Sequence, residues 1–327
     1  MMEHLETEAV TALVKDATAA PSMYNAQPWT FRFLRDSGAL QLYADVGRAM
    51  PRSDPDNRAL CLGCGAALFN LRVAAVHAGR EPTVELLPDP GDPHLLATVR
   101  LTDPMRTAGG LAELYPAIHR RHTSREPFRE TEVPPEVLAA LRHGAELEGA
   151  QLAVPGLWHV QMLLDLVHDA EGHDSVDAGR IEELARWTRI GAEEAGADDG
   201  IPEYAFGPRT RDGRAPVRDF AGRRPMAGRR AAVFERAPHL ALLGTAGDGP
   251  EDWLRAGQAM ERVLLLATVH GLSTSLTSHA LEWNDLRWLA RDPATAMGYV
   301  QMVLRLGYGP EVRATPRRPV DDVLAIV

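Results

Sequence analysis

Lysine is all but missing from this chain of 327 residues: Lys15 stands alone, so 34 of the 35 basic residues are arginines. That skew fits genome composition as well as it fits any function. Cysteine is nearly absent too, and Cys61 and Cys64 cannot build a disulfide framework or, by themselves, a four-ligand zinc site. The 12 histidines show no HExxH or similar spacing, so no metal is expected. No GxGxxG follows a strand-like run, which removes support for a Rossmann nucleotide site. Positive charge is in deficit: 35 Lys plus Arg against 45 Asp plus Glu leaves −10, which argues against a general nucleic-acid or anionic-membrane binder. Long apolar runs are lacking, since stretches such as VLLLATV (263–269) fall far short of a membrane span. The opening MMEHLETEAV is acidic and has no apolar segment of a signal peptide. These absences predict a cytoplasmic protein of a reducing compartment.

What is present suffices for a folded core: 45% apolar and 24% charged residues, enough chain for one large or two ordinary domains. Apolar spacing predicts a helix over 5–19, strands at WTFRF (29–33) and LQLYADV (40–46), and a helix from about Asp56 to Gly79. HLLATVRL (94–101) reads as a strand, and a helix–loop–helix stretch runs from about Thr107 to Gly144. GAQLAVPG reads as a strand and turn, and 157–196 as largely helical. Residues 197–230 carry no apolar period and read as a functional loop, lid or disordered insert. Beyond it come a strand at 239–247, a helix at 252–271 and a strand at 299–309.

Residues 58–79 and 250–271 align 192 positions apart: Gly65 with Gly257, Ala67 with Ala259, Ala75 with Ala267, and Gly79 with Gly271. EAVTAL (8–13) and EVLAAL (136–141) align 128 apart. Ala- and Leu-rich helices resemble one another in general, but the shared terminal glycine and matching order of elements point to a diverged duplication. The halves expected are 1–106 and 107–327, the second carrying the insert 197–230.

The halves differ where polar chemistry concentrates. The first has Ala20-Pro21-Ser22-Met23-Tyr24-Asn25-Ala26-Gln27-Pro28-Trp29; the second has GAELEGAQLAVPG at the equivalent place. The second alone opens on Arg120-Arg121-His122-Thr123-Ser124-Arg125 and closes on Thr315-Pro316-Arg317-Arg318-Pro319. These three motifs, in this order, resemble the flavin motifs of the nitroreductase family, and the whole chain resembles its internally duplicated, Acg-type twin branch. An ordinary member is an α+β homodimer with two FMN sites across the subunit interface. The resemblance therefore implies a duplicated α+β fold whose halves form an intrachain pseudo-dimer, with one complete FMN site and one eroded site. One chain would suffice for the flavin, with further self-association left open.

By the same resemblance, Arg120, Arg121, Thr123, Ser124 and Arg125 hold the FMN phosphate, and Arg317 or Arg318 closes the cup. Arginine suits this role because a phosphate prefers bidentate, permanently charged donors. The Pro21-Ser22 loop with Asn25 and Gln27 would meet the flavin's pyrimidine edge, where neutral amides match a mixed donor and acceptor rim. GLSTSLTSH (271–279) would pass the flavin N5 around Thr277 and Ser278. Cys61 and Cys64 share a helix face, as a redox pair would, but the resemblance implies small residues packed against the facing helix, so packing is the expected role.

The function implied is an FMN-dependent oxidoreductase with NADPH or NADH as hydride donor, a small-molecule acceptor, and ping-pong exchange. The rival is a flavin-sequestering protein with a lid at 197–230, in which Tyr204 and Phe206 stack on the flavin. Alternatively, the segment's arginines, at 209, 211, 214, 218, 223, 224, 229 and 230, recruit a nucleotide phosphate or an acidic substrate.

Overall fold

A computed structural model describes residues 7–103, 110–222, 224, 226 and 228–327. The first half runs α1 (Thr7–Ala17), β1 (Trp29–Leu34), β2 (Ala39–Ala44), α2 (Arg58–His77), β3 (Glu81–Leu86) and β4 (Leu95–Thr102). The second begins with α3 (Pro135–Glu146) and β5 (Gln151–Ala153). An insertion follows: α4 (Leu157–Val176), α5 (Ala178–Arg186), β6 (Thr188–Arg189), β7 (Ile201–Pro202), β8 (Arg209–Asp212) and β9 (Ala231–Val233). Then come β10 (His239–Thr245), α6 (Pro250–Val269), β11 (Ser273–Thr277), α7 (Asn284–Leu289), β12 (Tyr299–Gly307) and β13 (Leu324–Ile326). The fold is α+β.

The larger sheet has the order β13-β1-β2-β4-β3, and the second, read from its other edge, β5-β10-β12-β11. Each contains the same helix–strand–strand–helix–strand–strand unit with its last two strands exchanged in space, and all pairs within the unit are antiparallel. One strand breaks the correspondence: β13 pairs in parallel with β1, Leu324 opposite Phe31. The chain thus crosses back at its end to lie on the first half's sheet.

The middle helices α2 and α6 carry the apolar faces of both sheets. They meet where glycine lets their backbones touch. A Cβ on Gly65 would sit 2.3 Å from the Leu254 carbonyl oxygen, and one on Gly257 would sit 2.2 Å from that of Leu62. Leu62 and Leu254 are themselves 192 positions apart, so the contact is reciprocal, as across a two-fold axis. Glycine inside a helix costs about 0.5–1 kcal/mol in chain entropy; the close approach is what it makes possible here. Almost every residue of α2 is buried. By length and composition this helix alone among the described ones is apolar enough to cross a membrane, yet it is the core of the molecule.

The spacing read from the sequence places most long elements to within a few residues. Three strands of the two main sheets escaped it: β3, β13, and β11, which was read as part of a polar loop. In the expected helix–loop–helix stretch, the described part before α3 is only a short 3-10 turn, Leu111–Ala117. The insert is not structureless either: β7 and β8 lie in it, and Phe206 and Phe220 pack with Tyr24, Trp187 and Ile201 in an apolar cluster of its own.

Candidate functional site

The Pro21-Ser22 loop is wound into a strained shape. Tyr24, Asn25 and Gln27 all have left-handed backbone, with φ of 50°, 56° and 52°. Such backbone is unfavourable for residues other than glycine and persists only where surroundings dictate it. The surroundings are polar and specific. The Gln27 amide N–H donates to Ser22 Oγ at 2.9 Å. Asn25 Nδ2 donates to the carbonyls of Gly200 and Pro316, each at 3.0 Å, and Asn25 Oδ1 accepts from Arg317 Nη1 at 3.0 Å. Gln27 Nε2 donates to the Asp198 carbonyl at 2.8 Å, and its Oε1 accepts from the Arg318 amide at 2.9 Å. Asn25 and Gln27 thus tie three segments together: the loop, the start of the insert and the C-terminal tail.

The second-half arginines divide. Arg120 is exposed. Arg121 is buried, donates from Nη2 to the Ala19 carbonyl at 3.2 Å, and leaves Nε and Nη1 without a hydrogen-bond partner. Its nearest counter-charge is Glu261 of α6, 3.4 Å from Nε. That carboxyl is fully buried, and burial pushes its pKa up to about 7 although Arg121 pulls the other way. Arg317 reaches the same place, donating to the carbonyls of Thr18, Ala19 and Ala20 at 2.8–3.1 Å. Burial and then the neighbouring Arg121 lower its pKa to about 9. His122 beside them is pushed down to about 4 by burial, Arg121 and Arg317. Arg318 turns the other way, to the Gln27 carbonyl and Asp45, both at 3.3 Å.

Thr123 and Ser124 are positioned by β11: Thr123 bridges Thr274, and the Ser124 amide donates to the Thr274 carbonyl at 2.8 Å. Arg125 donates to the Ala205 carbonyl at 2.9 Å and lies 4.6 Å over the Phe220 ring. Burial, then Arg218, brings its pKa to about 10.

Between these parts lies a cavity of about 80 Å³. Pro21, Ser22 and Tyr24 form one side, Arg58, Leu62 and Gly63 of α2 the floor, and Thr123, Arg125, Ser275 and Ser278 the opposite side. Ser278 Oγ donates to Glu282 Oε1 at 2.7 Å. Thr277 does not line the cavity; its hydroxyl donates to the Pro216 carbonyl at 2.8 Å and pins the insert to β11. Pro21, Ser22, Thr123, Arg125 and Ser278 are thus gathered on one cavity. Arg121 and Arg317 converge behind it, while Asn25, Gln27 and Arg318 face the tail and the insert.

Sequence reading expected the insert at the site through Tyr204 and Phe206, or through its arginines; Phe220 was not among the residues named. Tyr204 and Phe206 are not on the cavity wall: the Tyr204 hydroxyl donates to the Ala314 carbonyl at 2.7 Å, and Phe206 is buried against Phe220. Arg218 and Phe220 are there instead. Arg218 Nη2 donates to Glu282 Oε1 at 2.6 Å, and Nη1 donates to the Tyr24 hydroxyl. Burial disfavours its charge, but Glu282, Tyr24 and Asp174 together raise its pKa. The other arginines of the segment are largely engaged: Arg214 with Asp165, Arg224 with Glu193, Arg229 with Asp219 and Arg230 with Glu126. Arg223 lies outside the described residues. Cys61 and Cys64 are buried and unlinked, and burial pushes the Cys61 thiol up to about 12 and Cys64 well above its ordinary value. They behave as packing residues.

Comparison with known proteins assigns the chain to a family. The Nitroreductase family profile matches residues 118–308. The candidate NAD(P)H nitroreductase acg of Mycobacterium tuberculosis is 32% identical over 340 residues, covering 98% of this chain and 96% of the relative. A second candidate NAD(P)H nitroreductase of that organism is 31% identical over 98% of this chain and 92% of its own length. Among solved structures, the FMN-dependent nitroreductase NfnB of Mycobacterium smegmatis in complex with NADPH is 16% identical, covers 65% of this chain and 97% of that one, and has a TM-score of 0.41. The chain belongs to the nitroreductase family and is an oxidoreductase of that class.

Proposed function

We propose that this protein binds one FMN between its two halves and uses it to move hydride equivalents from NADPH or NADH to a small organic acceptor. The observation that carries this reading is Arg121. A buried guanidinium with Nε and Nη1 unbonded lies beside the side chain of Arg317 and two residues from Thr123 on the cavity wall. Its counter-charge Glu261, 3.4 Å from Nε, makes no hydrogen bond with it, so two donors stay unsatisfied, a buried arrangement that an added anion would relieve. An FMN phosphate suits that set through Arg121, Arg125 and Arg317, with Thr123 and Ser124 as hydroxyl donors. The ring would lie toward Tyr24 and Gly63, where a Cβ on Gly63 would come within 3.2 Å of Ser22 Cβ and narrow the groove.

FMN, when bound, supplies the two-electron chemistry, in two half-reactions of ping-pong type. The protein's own groups orient and exclude. The strained loop fixes one wall, Leu62 and Gly63 of α2 help to keep water out, and the end of β11 brings Ser278 to the cavity. The repeated sheet order and the reciprocal Gly65 and Gly257 contact support halves 1–106 and 107–327 that arose by duplication, paired within one chain. A cytoplasmic setting, with no nucleic-acid or membrane partner, goes with this reading.

A second reading has its own support. Arg218 and Phe220 narrow the cavity to a volume that admits only a few waters, so a ring needs that segment to shift. In a flavin store the segment would close again over the bound ring. The test begins with flavin content: the purified protein should be yellow with about one FMN per chain, and two per chain would refute the single complete site. Stopped-flow mixing with NADPH then separates the readings. Rapid bleaching of the flavin band supports the oxidoreductase, and an unbleached band supports the store.

A further inference from the structure

Orphaned polar atoms gather where α2, α6 and the arginine motif meet. Both polar atoms of the Asn70 amide, both carboxylate oxygens of Glu261, and Nε and Nη1 of Arg121 lack a hydrogen-bond partner, although all three residues are buried. Buried groups are normally satisfied, so a cluster of exceptions marks a site whose bonding is incomplete. Glu261 is fully enclosed, and its Oε1 stands 3.4 Å from Arg121 Nε, an ion pair without a hydrogen bond. The same guanidinium is the one an FMN phosphate would occupy. Two anions would then compete for one cation.

The other charges on the elements around α6 are engaged or turned away. Arg262 of α6 and Arg72 of α2 both donate to Glu148. The Leu111–Ala117 turn stacks Tyr115 on His77 and leaves Glu113 exposed. Arg142 and His143 of α3 are exposed, and Arg305 of β12 is held by Glu235. Burial raises the Glu261 pKa to about 7, against the pull of Arg121, then Asn70, then Arg317. A phosphate arriving at Arg121 and Arg317 brings negative charge beside this carboxyl, and a nearby like charge raises a carboxyl's pKa further.

We propose that Glu261 is a positioning residue for the flavin phosphate: it holds Arg121 in the flavin-free protein and yields that guanidinium to the phosphate by taking up a proton from solvent. The inference rests on the flavin reading. Its sign follows from linkage. A group whose pKa rises on binding takes up a proton, so affinity is full below the free value and falls as pH climbs through it toward the bound value. Wild-type affinity for FMN should therefore drop about three- to tenfold between about pH 7 and about pH 8, a range in which the phosphate itself is already largely a dianion.

The probes are FMN and riboflavin, which has the same ring without the phosphate, titrated into the flavin-free full chain at about pH 8. Calorimetry in buffers of different ionisation heat counts the protons exchanged. Subtracting the riboflavin value removes any proton moved when the ring displaces Arg218 and Phe220. FMN should take up about one proton more than riboflavin in the wild type, and less than about a third of one more in Glu261→Gln. The variant's FMN affinity should also change less than about twofold between about pH 7 and about pH 8, and His122→Asn should behave as the wild type in both measurements. Equal proton counts for FMN and riboflavin in the wild type would overturn the proposal without any variant. A proton that persists in Glu261→Gln, or that vanishes in His122→Asn instead, would overturn the role of Glu261. Absence of FMN binding would overturn the flavin reading and this inference with it, whereas FMN bound without the extra proton would overturn this inference alone.

Discussion

Arg121 and Glu261 form a buried pair that neither residue's sequence neighbourhood announces. Glu261 belongs to a run, AMERVLLLATV, in which a charged pair reads as the wet face of an amphipathic helix. Its burial follows only from the second helix packed against it. For the cofactor, Arg121→Gln and Arg125→Gln should each weaken FMN binding about 10- to 100-fold, the equivalent of about 1.5–3 kcal/mol for a charge-assisted contact. Arg224→Gln, in the insert, should change it less than about threefold on the same scale. Equilibrium dialysis against FMN, with melting curves of the flavin-free forms as a fold control, checks both. The pair also carries a pH signature. Glu261 titrates near 7 when folded, against an ordinary value of 4.5. Its contribution is therefore fully present below about 4.5 and is lost as pH rises toward 7. His122, depressed to about 4, has the opposite slope over part of that range. The informative quantity is thus the difference between Glu261→Gln and wild type. Urea denaturation of the flavin-free protein should show the variant's relative stability rising from pH 4.5 to 7; a flat difference would remove Glu261 as a titrating group.

Helices and strands with a strong apolar period were legible, because burial against a sheet imposes that period wherever it occurs. Sheet edges were not. β13 is a three-residue strand held by pairing with β1 rather than by any pattern of its own, and β11 is composed of Ser, Thr and Leu that read equally well as loop. In the site, the Pro21-Ser22 loop and the arginine motif stood out through their resemblance to the nitroreductase motifs; by their residues alone they read as an ordinary turn and a solvated patch. The wall made by Arg218 and Phe220 was not, since one aromatic among eight arginines gives no local clue to which residue turns inward. The glycine repeat was legible as a repeat, and the structure supplies its reason. Gly65→Ala and Gly257→Ala should each destabilise by about 1–3 kcal/mol, because the new methyl meets a carbonyl on the facing helix and overpacking outweighs any helix-propensity gain. Gly172→Ala in α4, where a Cβ meets nothing within 4 Å, should stabilise by about 0.4–1 kcal/mol. Chemical denaturation distinguishes the two signs.

At the scale of the molecule, the tail from Thr315 to Ile326 does two things at once. Arg317 and Arg318 lock the strained loop through Asn25 and Gln27, and β13 covers the edge of β1. Removing residues 315–327 should therefore abolish FMN retention and expose a sheet edge, seen as loss of yellow colour and appearance of aggregates by light scattering. Retained FMN in the truncated protein would separate the tail from the site. The pairing of Leu324 with Phe31 joins positions 324 − 31 = 293 residues apart. A ribosome has therefore released nearly the whole polypeptide before the sheet that was translated first can acquire its final strand. Until the tail is made, that edge stays open and the Pro21-Ser22 loop is braced by Gly200 and Asp198, without the contacts of Arg317 and Arg318.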